Sequence, residues 1–118
     1  MNQQELNKIL DQHKLWLESK GRQGKRINYA GVNLEGANLQ HTNLRKSILS
    51  ASNLANADLT GADLSDVDLS GTYLVGARFD FNFRKVEWFY HATVSKDQLC
   101  WLILHPEFGK FKKSLTIV

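Results

Sequence analysis

The sequence predicts a mainly β chain that turns a corner every five residues and carries an α-helix at each end. Three observations support this prediction: an unbroken five-residue period over residues 27–81, an amphipathic segment over residues 3–19 and a strongly apolar segment after position 95. The length of 118 residues fits a single domain. We expect an N-terminal cap and linker over 1–26, a repeat section over 27–94 and a C-terminal cap over 95–118.

A large apolar residue recurs at every fifth position of the repeat section. On an α-helix such side chains would advance by ~140° per step and form no stripe. On a straight β-strand an odd period would send successive side chains to opposite faces. A chain that bends after each short segment keeps all of them inside. These central residues are Tyr29, Leu34, Leu39, Leu44, Leu49, Leu54, Leu59, Leu64, Leu69, Leu74 and Phe79.

Turn-forming residues accompany the central residues. The position before each central residue is Asn or Asp in eight of the eleven repeats. These side chains hydrogen-bond to nearby backbone in turns, and glycine accepts the positive φ angle that a tight corner requires. The glycines at the expected corners are Gly31, Gly36, Gly61, Gly71 and Gly76.

Three copies of the repeat read Ala37-Asn38-Leu39, Ala57-Asp58-Leu59 and Ala62-Asp63-Leu64. They resemble the A-(D/N)-L-x-x signature of the pentapeptide-repeat family. The resemblance implies a right-handed quadrilateral β-helix of about three to four coils, with four repeats to a coil. It predicts contacts between residues twenty positions apart, such as a stack of Leu34, Leu54 and Leu74. It also predicts an outer column of Asn38, Asp58 and Arg78, in which Asp58 and Arg78 can form an ion pair.

Both flanks of the repeat section carry helix signals. Gly21 follows the N-terminal amphipathic segment as a stop. Ser95 and Gln98 form a capping box at the start of the C-terminal helix, and Pro106 ends that helix. We expect the two helices to cover the open ends of the coil, which would otherwise expose leucines and strand edges. The apolar face of the first helix is Leu6, Ile9, Leu10, His13, Trp16 and Leu17.

The register of the segment 80–94 is left open by the sequence. A shift of one residue places Phe81-Asn82-Phe83 and Val86-Glu87-Trp88 on the inward pattern. The original register instead favours Ala92-Thr93-Val94. We expect one distorted, aromatic-rich coil beneath the C-terminal helix in either case.

No group of residues has the spacing of a catalytic, cofactor-binding or metal-binding site. The four histidines lack metal-ligand spacing, and Cys100 stands among apolar residues, where we expect a buried and inert thiol. We therefore predict that the protein is not an enzyme and needs no cofactor or metal. A polar N-terminus, a single cysteine and the lack of a long apolar segment predict a cytoplasmic protein without membrane contact.

Two outward features are candidate partner surfaces. Residues 31–80 carry six acidic and three basic side chains, whereas each flank carries a net charge of +3. Four of these acids form what we call the acidic belt, expected on successive sides of one coil: Asp58, Asp63, Asp66 and Asp68. Apolar residues at outward positions form a possible contact patch: Ile48, Tyr73 and Val75. Basic residues cluster near both termini, where solubility explains them and direct nucleic-acid binding is not expected: Lys20, Arg22, Lys25, Arg26, Lys110, Lys112 and Lys113.

The family resemblance implies a binding function. The family includes proteins whose acidic surface resembles B-form DNA and which bind gyrase, and some phage-borne inhibitors of CRISPR complexes look similar. We therefore expect an inhibitor, bacterial or phage-encoded, that presents the acidic belt to a DNA-binding complex. A CRISPR effector is favoured over gyrase, because the gyrase-directed members resemble long dimeric rods. The alternative is a structural or scaffold module that self-associates, and the sequence does not decide between monomer and homodimer.

Overall fold

The computed structural model describes all 118 residues and shows a coil with a helix across its N-terminal end. Helix α1 (Gln3–Glu18) is that helix, and its bounds confirm the predicted N-terminal helix to within one residue. Its first turn is capped by Asn2, whose side-chain Oδ1 accepts a 2.8 Å hydrogen bond from the backbone N–H of Glu5. The later elements are a 3-10 helix (Phe81–Lys85), strand β1 (Thr93–Val94), a 3-10 helix (Lys96–Gln98), helix α2 (Leu99–Ile103), helix α3 (Phe108–Phe111), a 3-10 helix (Lys112–Ser114) and strand β2 (Thr116–Ile117).

Each turn of the coil uses twenty residues. The backbone N–H of Leu34 donates to the carbonyl of Asn53 at 2.8 Å, and the N–H of Leu54 donates to the carbonyl of Tyr73 at 2.9 Å. Parallel backbone bridges join residues twenty positions apart. The contact spacing predicted from the repeat is therefore observed.

The bridges divide the coil into four sides. Side 1 carries Asn28, Ile48, Asp68 and Trp88; side 2 carries Asn33, Asn53, Tyr73 and Thr93; side 3 carries Asn38, Asp58 and Arg78; side 4 carries Asn43 and Asp63. The 3-10 helix Phe81–Lys85 follows Arg78 and takes the place of a further bridge residue on side 4. Strand β2 pairs in parallel with β1, with Thr116 opposite Thr93, and so extends side 2.

The expectation of a mainly β protein is wrong. The only sheet consists of β1 and β2, each two residues long, and the chain also contains three α-helices. Pairing within the repeats is confined to isolated bridges, because each five-residue segment contributes one bridge residue before the next corner. Corner residues such as Asn56 and Gly61 have φ angles of 59° and 72°, outside the range of an extended strand.

The C-terminal helix predicted to begin near Ser95 and to end at Pro106 is present but short. Helix α2 contains only five residues, and a turn at Leu104 separates it from the four residues of α3. Pro106 lacks a backbone N–H and cannot continue a helix. His105 fills this turn: its Nε2 lies 2.6 Å from the carbonyl of Val86, and its Nδ1 accepts a 3.0 Å hydrogen bond from the N–H of Glu107.

The core is a column of leucines that runs through the coil. The central leucines from Leu34 to Leu74 are all buried, and Leu54 is fully inaccessible. Burial of each such side chain contributes about 1.5–3 kcal/mol. Hydroxyl groups that face inward satisfy nearby carbonyls, as Ser47 Oγ does by donating to Leu44 at 2.6 Å. The interior therefore tolerates small polar side chains without loss of hydrogen bonds.

Helix α1 is attached to the coil through His13. The Nε2 of this buried imidazole donates to the Arg45 carbonyl at 2.8 Å, and Nδ1 accepts from the N–H of Ile27 at 3.0 Å. A backbone N–H can only donate, so Nδ1 must carry a free lone pair and the ring must be neutral. Desolvation by burial lowers the pKa of His13. The hydrogen bond to the Arg45 carbonyl opposes this effect, and the charge of Arg26 reinforces it.

Between residues 80 and 94 the chain leaves the original register around Phe83 and returns to it before Phe89. Phe83 is buried on the shifted pattern, within the 3-10 helix on side 4. The original register returns at Trp88, which is exposed and bridges Asp68, while the next residue, Phe89, is buried. The aromatic-rich final coil is formed by Phe83 and Phe89, whose ring centroids lie 5.1 Å apart, together with Phe111 from α3.

Candidate interaction surface

The acidic belt follows one coil around three of its four sides. Asp58 lies on side 3, Asp63 on side 4 and Asp68 on side 1. Asp66 occupies the corner between sides 4 and 1, with a left-handed φ angle of 59°. Its backbone N–H donates to the carbonyl of Lys85 at 3.1 Å. The four carboxylates therefore wrap around the coil and do not share one flat face.

Three belt aspartates hold the turns that follow them. The Oδ1 atoms of Asp58, Asp63 and Asp68 accept hydrogen bonds of 2.9–3.0 Å from the backbone N–H two residues later. Asn33 and Asn53 make the same contact at 3.1 Å and 3.0 Å. An amide oxygen thus serves this turn as well as a carboxylate does, and the negative charge is additional to the structural role.

The surroundings of Asp58 keep its carboxylate ionised. Hydrogen bonds from the Thr60 side chain, the Gln40 amide and the Thr60 backbone lower the pKa of Asp58 to about 2. Burial opposes this slightly, and the Arg78 charge adds to it. Asp58 therefore carries a negative charge at every pH above about 3.

The pKa of Asp63 is also lowered, through a balance of opposing effects. Desolvation by burial acts to raise this pKa, but hydrogen bonds from the Ser65 hydroxyl and backbone, with the charges of Arg45 and Lys85, outweigh it. The Ser65 hydroxyl donates to Oδ1 at 2.7 Å. Two adjacent sides of the belt thus present carboxylates that are ionised at neutral pH.

The bridge neighbours of the belt aspartates are neutral or basic residues. Asp58 lies between Asn38 and Arg78 on side 3. The ion pair predicted for Asp58 and Arg78 is not formed, although Arg78 still lowers the pKa of Asp58. Asp63 lies 4.0 Å from the Nε of Arg45, which comes from the preceding coil. The acidic surface is consequently centred on one coil, and Asp80 adds a carboxylate from the next coil, where it accepts a 3.3 Å hydrogen bond from the N–H of Gly61.

The predicted apolar patch is divided between two sides. Tyr73 is 44% exposed on side 2, and the half-buried Val75 follows it toward the next corner. Ile48 is half-buried on side 1, where it bridges Asn28 and Asp68. The structure therefore brings Tyr73 and Val75 together and leaves Ile48 around a corner from them.

The largest exposed apolar group at the C-terminal end was not predicted. Phe81 is 62% exposed and meets the edge of Trp101, with ring centroids 5.2 Å apart. Ile103 at the end of α2 and Leu104 in the turn that follows are also exposed. The shifted register placed Phe81 on the inward pattern, whereas the unshifted five-residue period places it at an outward corner, and its exposure agrees with the unshifted period.

The histidine and cysteine side chains that were considered for chemistry either make structural contacts or are exposed. His13 and His105 hold the two ends of the coil, as described above. No group of three or more His, Cys, Asp or Glu side chains is arranged to hold a metal ion. The expectation of a buried Cys100 is wrong: the thiol is exposed and its Sγ lies 3.3 Å from the carbonyl of Asp97. No helix in the chain has both the length and the hydropathy needed to cross a membrane.

Comparisons with known proteins identify the family that this chain resembles. A family model described as pentapeptide repeats, with eight copies, matches residues 30–66 and 62–81. A crystal structure of a pentapeptide repeat protein from Nostoc Pcc 7120 is similar over 92% of this chain and 93% of that chain, with 20% identity and a TM-score of 0.25. No curated protein matches the sequence. The match of the family model, together with the repeat itself, shows that residues 30–81 of this chain are pentapeptide repeats.

Proposed function

We propose that the protein is a non-catalytic protein-interaction module that inhibits bacterial machinery by presenting its acidic belt to a DNA-binding surface. The main support for this proposal is that the fold does not require the negative charge of the belt. Asparagine supports the same turns at Asn33 and Asn53, so the carboxylates of the belt are not required for the coil to form. Their charge is available to a cationic partner.

The shape of the belt favours a partner with a cleft. The belt bends around two corners of the coil, and a flat partner surface would reach only one side of it. A cationic channel would contact two or three sides at once and would gain from every carboxylate. Nucleic-acid-binding channels combine this shape with clustered Lys and Arg side chains.

The dimensions of the protein favour a compact target. Its extents are 38 × 26 × 22 Å, so it is a short body and not a long rod. The family resemblance implies that the gyrase-directed members are long and dimeric. We therefore favour a CRISPR effector over gyrase as the partner, through mimicry of DNA.

The test separates charge from structure by replacing each carboxylate with its amide. Aspartate-to-asparagine substitution keeps the oxygen that accepts the turn hydrogen bond and removes the charge. The test variant combines Asp58→Asn, Asp63→Asn, Asp66→Asn and Asp68→Asn. The control variant removes the same number of charges elsewhere: Asp11→Asn, Glu18→Gln, Glu35→Gln and Glu107→Gln. The assay is displacement of a labelled DNA duplex from purified CRISPR effector complexes and from gyrase.

The proposal expects the native protein and the control variant to displace DNA with similar potency. The belt variant should lose displacement while it remains folded, with only a small decrease in its melting temperature. Equal loss in both variants would show that only total charge matters, and unchanged displacement by the belt variant would refute the role of the belt.

Self-association is the second candidate function. It is favoured by the exposure of Tyr73 beside Val75, because large apolar groups on a regular outer surface are typical of contact patches. Sedimentation equilibrium of the native protein and of Tyr73→Ser across a concentration series tests this candidate. A dimer that dissociates in the variant would support it, and a monomer at all concentrations would eliminate it.

A further inference from the structure

Basic side chains from two separate parts of the sequence line two surface hollows near the N-terminal end of the coil, and Arg22 lies in the loop that carries some of them. One surface hollow is lined by Lys20, Arg45 and Lys46. The guanidinium Nε of Arg26 donates to the carbonyl of Lys46 at 2.6 Å, and Lys25 lines a second hollow with Arg26. We call this group the basic corner: Lys20, Arg22, Lys25, Arg26, Arg45 and Lys46.

Backbone hydrogen bonds fix the loop that carries four of these residues. The N–H of Gly21 donates to the Trp16 carbonyl at 2.8 Å, and the N–H of Lys25 donates to the Gln12 carbonyl at 3.0 Å. Gly24 has a φ angle of 72° and lies so close to this carbonyl that a side chain would not fit. The cations are therefore presented by an ordered loop, which reduces the entropy lost on binding.

The charge of the basic corner is largely uncompensated. The structure contains three ion pairs, and only one of them involves a residue of the corner, Arg45 with Asp63 at 4.0 Å. Lys20, Lys25 and Lys46 are exposed and have no carboxylate within that distance. A local field of this kind attracts a polyanion.

The corner offers charge and few apolar contacts. The ring of Trp16 is stacked on His13 with centroids 5.8 Å apart, and the Arg26 guanidinium lies 5.4 Å from the ring centroid. The ring is therefore engaged within the protein. Acidic protein partners are usually anchored by apolar and aromatic groups, whereas a nucleic-acid backbone binds through charge and counterion release alone.

We infer that the basic corner binds the phosphate backbone of double-stranded nucleic acid without sequence preference. The sequence by itself argued against direct binding, because its cations stand at both termini. The structure adds Arg45 and Lys46 to the N-terminal group. This inference rests on other residues than the acidic belt, although Arg45 of the corner pairs with Asp63 of the belt. It extends the proposed function, since one molecule would contact a protein through the belt and nucleic acid through the corner.

The test measures binding of a fluorescent 20-base-pair DNA duplex by anisotropy between 50 and 200 mM salt. The corner variant removes four exposed cations and retains Arg26 and Arg45, whose side chains contact Trp16 and Asp63. Its substitutions are Lys20→Gln, Arg22→Gln, Lys25→Gln and Lys46→Gln. The control variant has the same net charge and carries Lys96→Gln, Lys110→Gln, Lys112→Gln and Lys113→Gln.

Six phosphate contacts predict a slope of about −5 for log affinity against log salt, so the native protein should lose about a thousandfold in affinity across this range. The corner variant should have a slope near about −2 and bind more than tenfold more weakly at 50 mM salt. The control should retain most of the native slope. The belt variant should bind the duplex at least as tightly as the native protein, which keeps this result separate from the proposed function.

Three results would overturn the inference. One is the absence of duplex binding by the native protein at 50 mM salt. Another is equal weakening in the corner and control variants, which would make total charge and not position responsible. The third is displacement of the duplex by a polyglutamate peptide that matches the duplex in total charge and in concentration. This result would identify an acidic protein segment as the ligand.

Discussion

Replacement of His13 by glutamine should remove part of the acid sensitivity of the fold. The neutral imidazole donates to the Arg45 carbonyl and accepts from the N–H of Ile27, and protonation of Nδ1 would eliminate the second hydrogen bond. A glutamine amide also offers one donor and one acceptor but does not titrate. His13→Gln therefore retains the possibility of both contacts and removes the proton equilibrium.

The sign of the effect follows from the lowered pKa of His13. The unfolded chain binds a proton at the ordinary value of 6.5, whereas the folded protein resists protonation. The contribution of His13 to stability is thus fully present above pH 6.5 and is lost as the pH falls through 6.5 toward the folded pKa. Within that window each pH unit lowers the free energy of unfolding by at most about 1.4 kcal/mol. The charge of Arg26 is cationic and lowers the pKa of His13 further, so it does not stabilise an imidazolium.

The assay is urea unfolding of the native protein and of His13→Gln at pH 7.5 and pH 5.5. The native protein should lose more stability than the variant between the two pH values, by at most about 1.4 kcal/mol. His41→Gln is the matched control, because this histidine is exposed, and it should keep the native pH dependence. An equal pH dependence in the native protein and His13→Gln would refute the role assigned to His13.

Substitutions at Leu54, Asp68 and Gly31, with controls, test the coil itself by urea unfolding. Leu54→Ala should destabilise the protein by about 3–5 kcal/mol, because the side chain is 0% exposed, whereas Leu15→Ala, at 36% exposure, should cost under about 1 kcal/mol. Asp68→Ala should cost about 1 kcal/mol through loss of the hydrogen bond from the Ser70 N–H, and Asp68→Asn should cost less than half of that. Gly31→Ala should cost about 1–2 kcal/mol through its φ angle of 73° alone, since no atom lies near the added methyl group. A neutral Leu54→Ala, equal losses in the two Asp68 variants or a neutral Gly31→Ala would each contradict the corresponding role.

The sequence predicted the inward residues and the twenty-residue spacing because both follow from side-chain size and period. Every central residue from Leu34 to Phe79 is buried. The backbone class was predicted wrongly, because the period does not reveal how many residues each corner uses. Corners such as the one at Asn56 leave a single bridge residue on each side, and a ladder of extended strands does not form.

The candidate surfaces depended on information that the sequence lacks. The acidic belt is placed on successive sides of one coil, as the period implied. The separation of Ile48 from Tyr73 follows from the corner between sides 1 and 2. The exposure of Cys100 depends on the orientation of a five-residue helix, which is too short for its apolar pattern to define a face. The basic corner joins residues about twenty positions apart and becomes visible only when the coil is closed.

The most direct test of the central claim is a measurement of scalar couplings across backbone hydrogen bonds by nuclear magnetic resonance. A coil with twenty residues per turn predicts couplings from the amide of Leu34 to the carbonyl of Asn53, and from the amide of Leu54 to the carbonyl of Tyr73. It also predicts a coupling from the amide of Leu74 to the carbonyl of Thr93. Couplings from these three amides to carbonyls at any other sequence separation would contradict the claim.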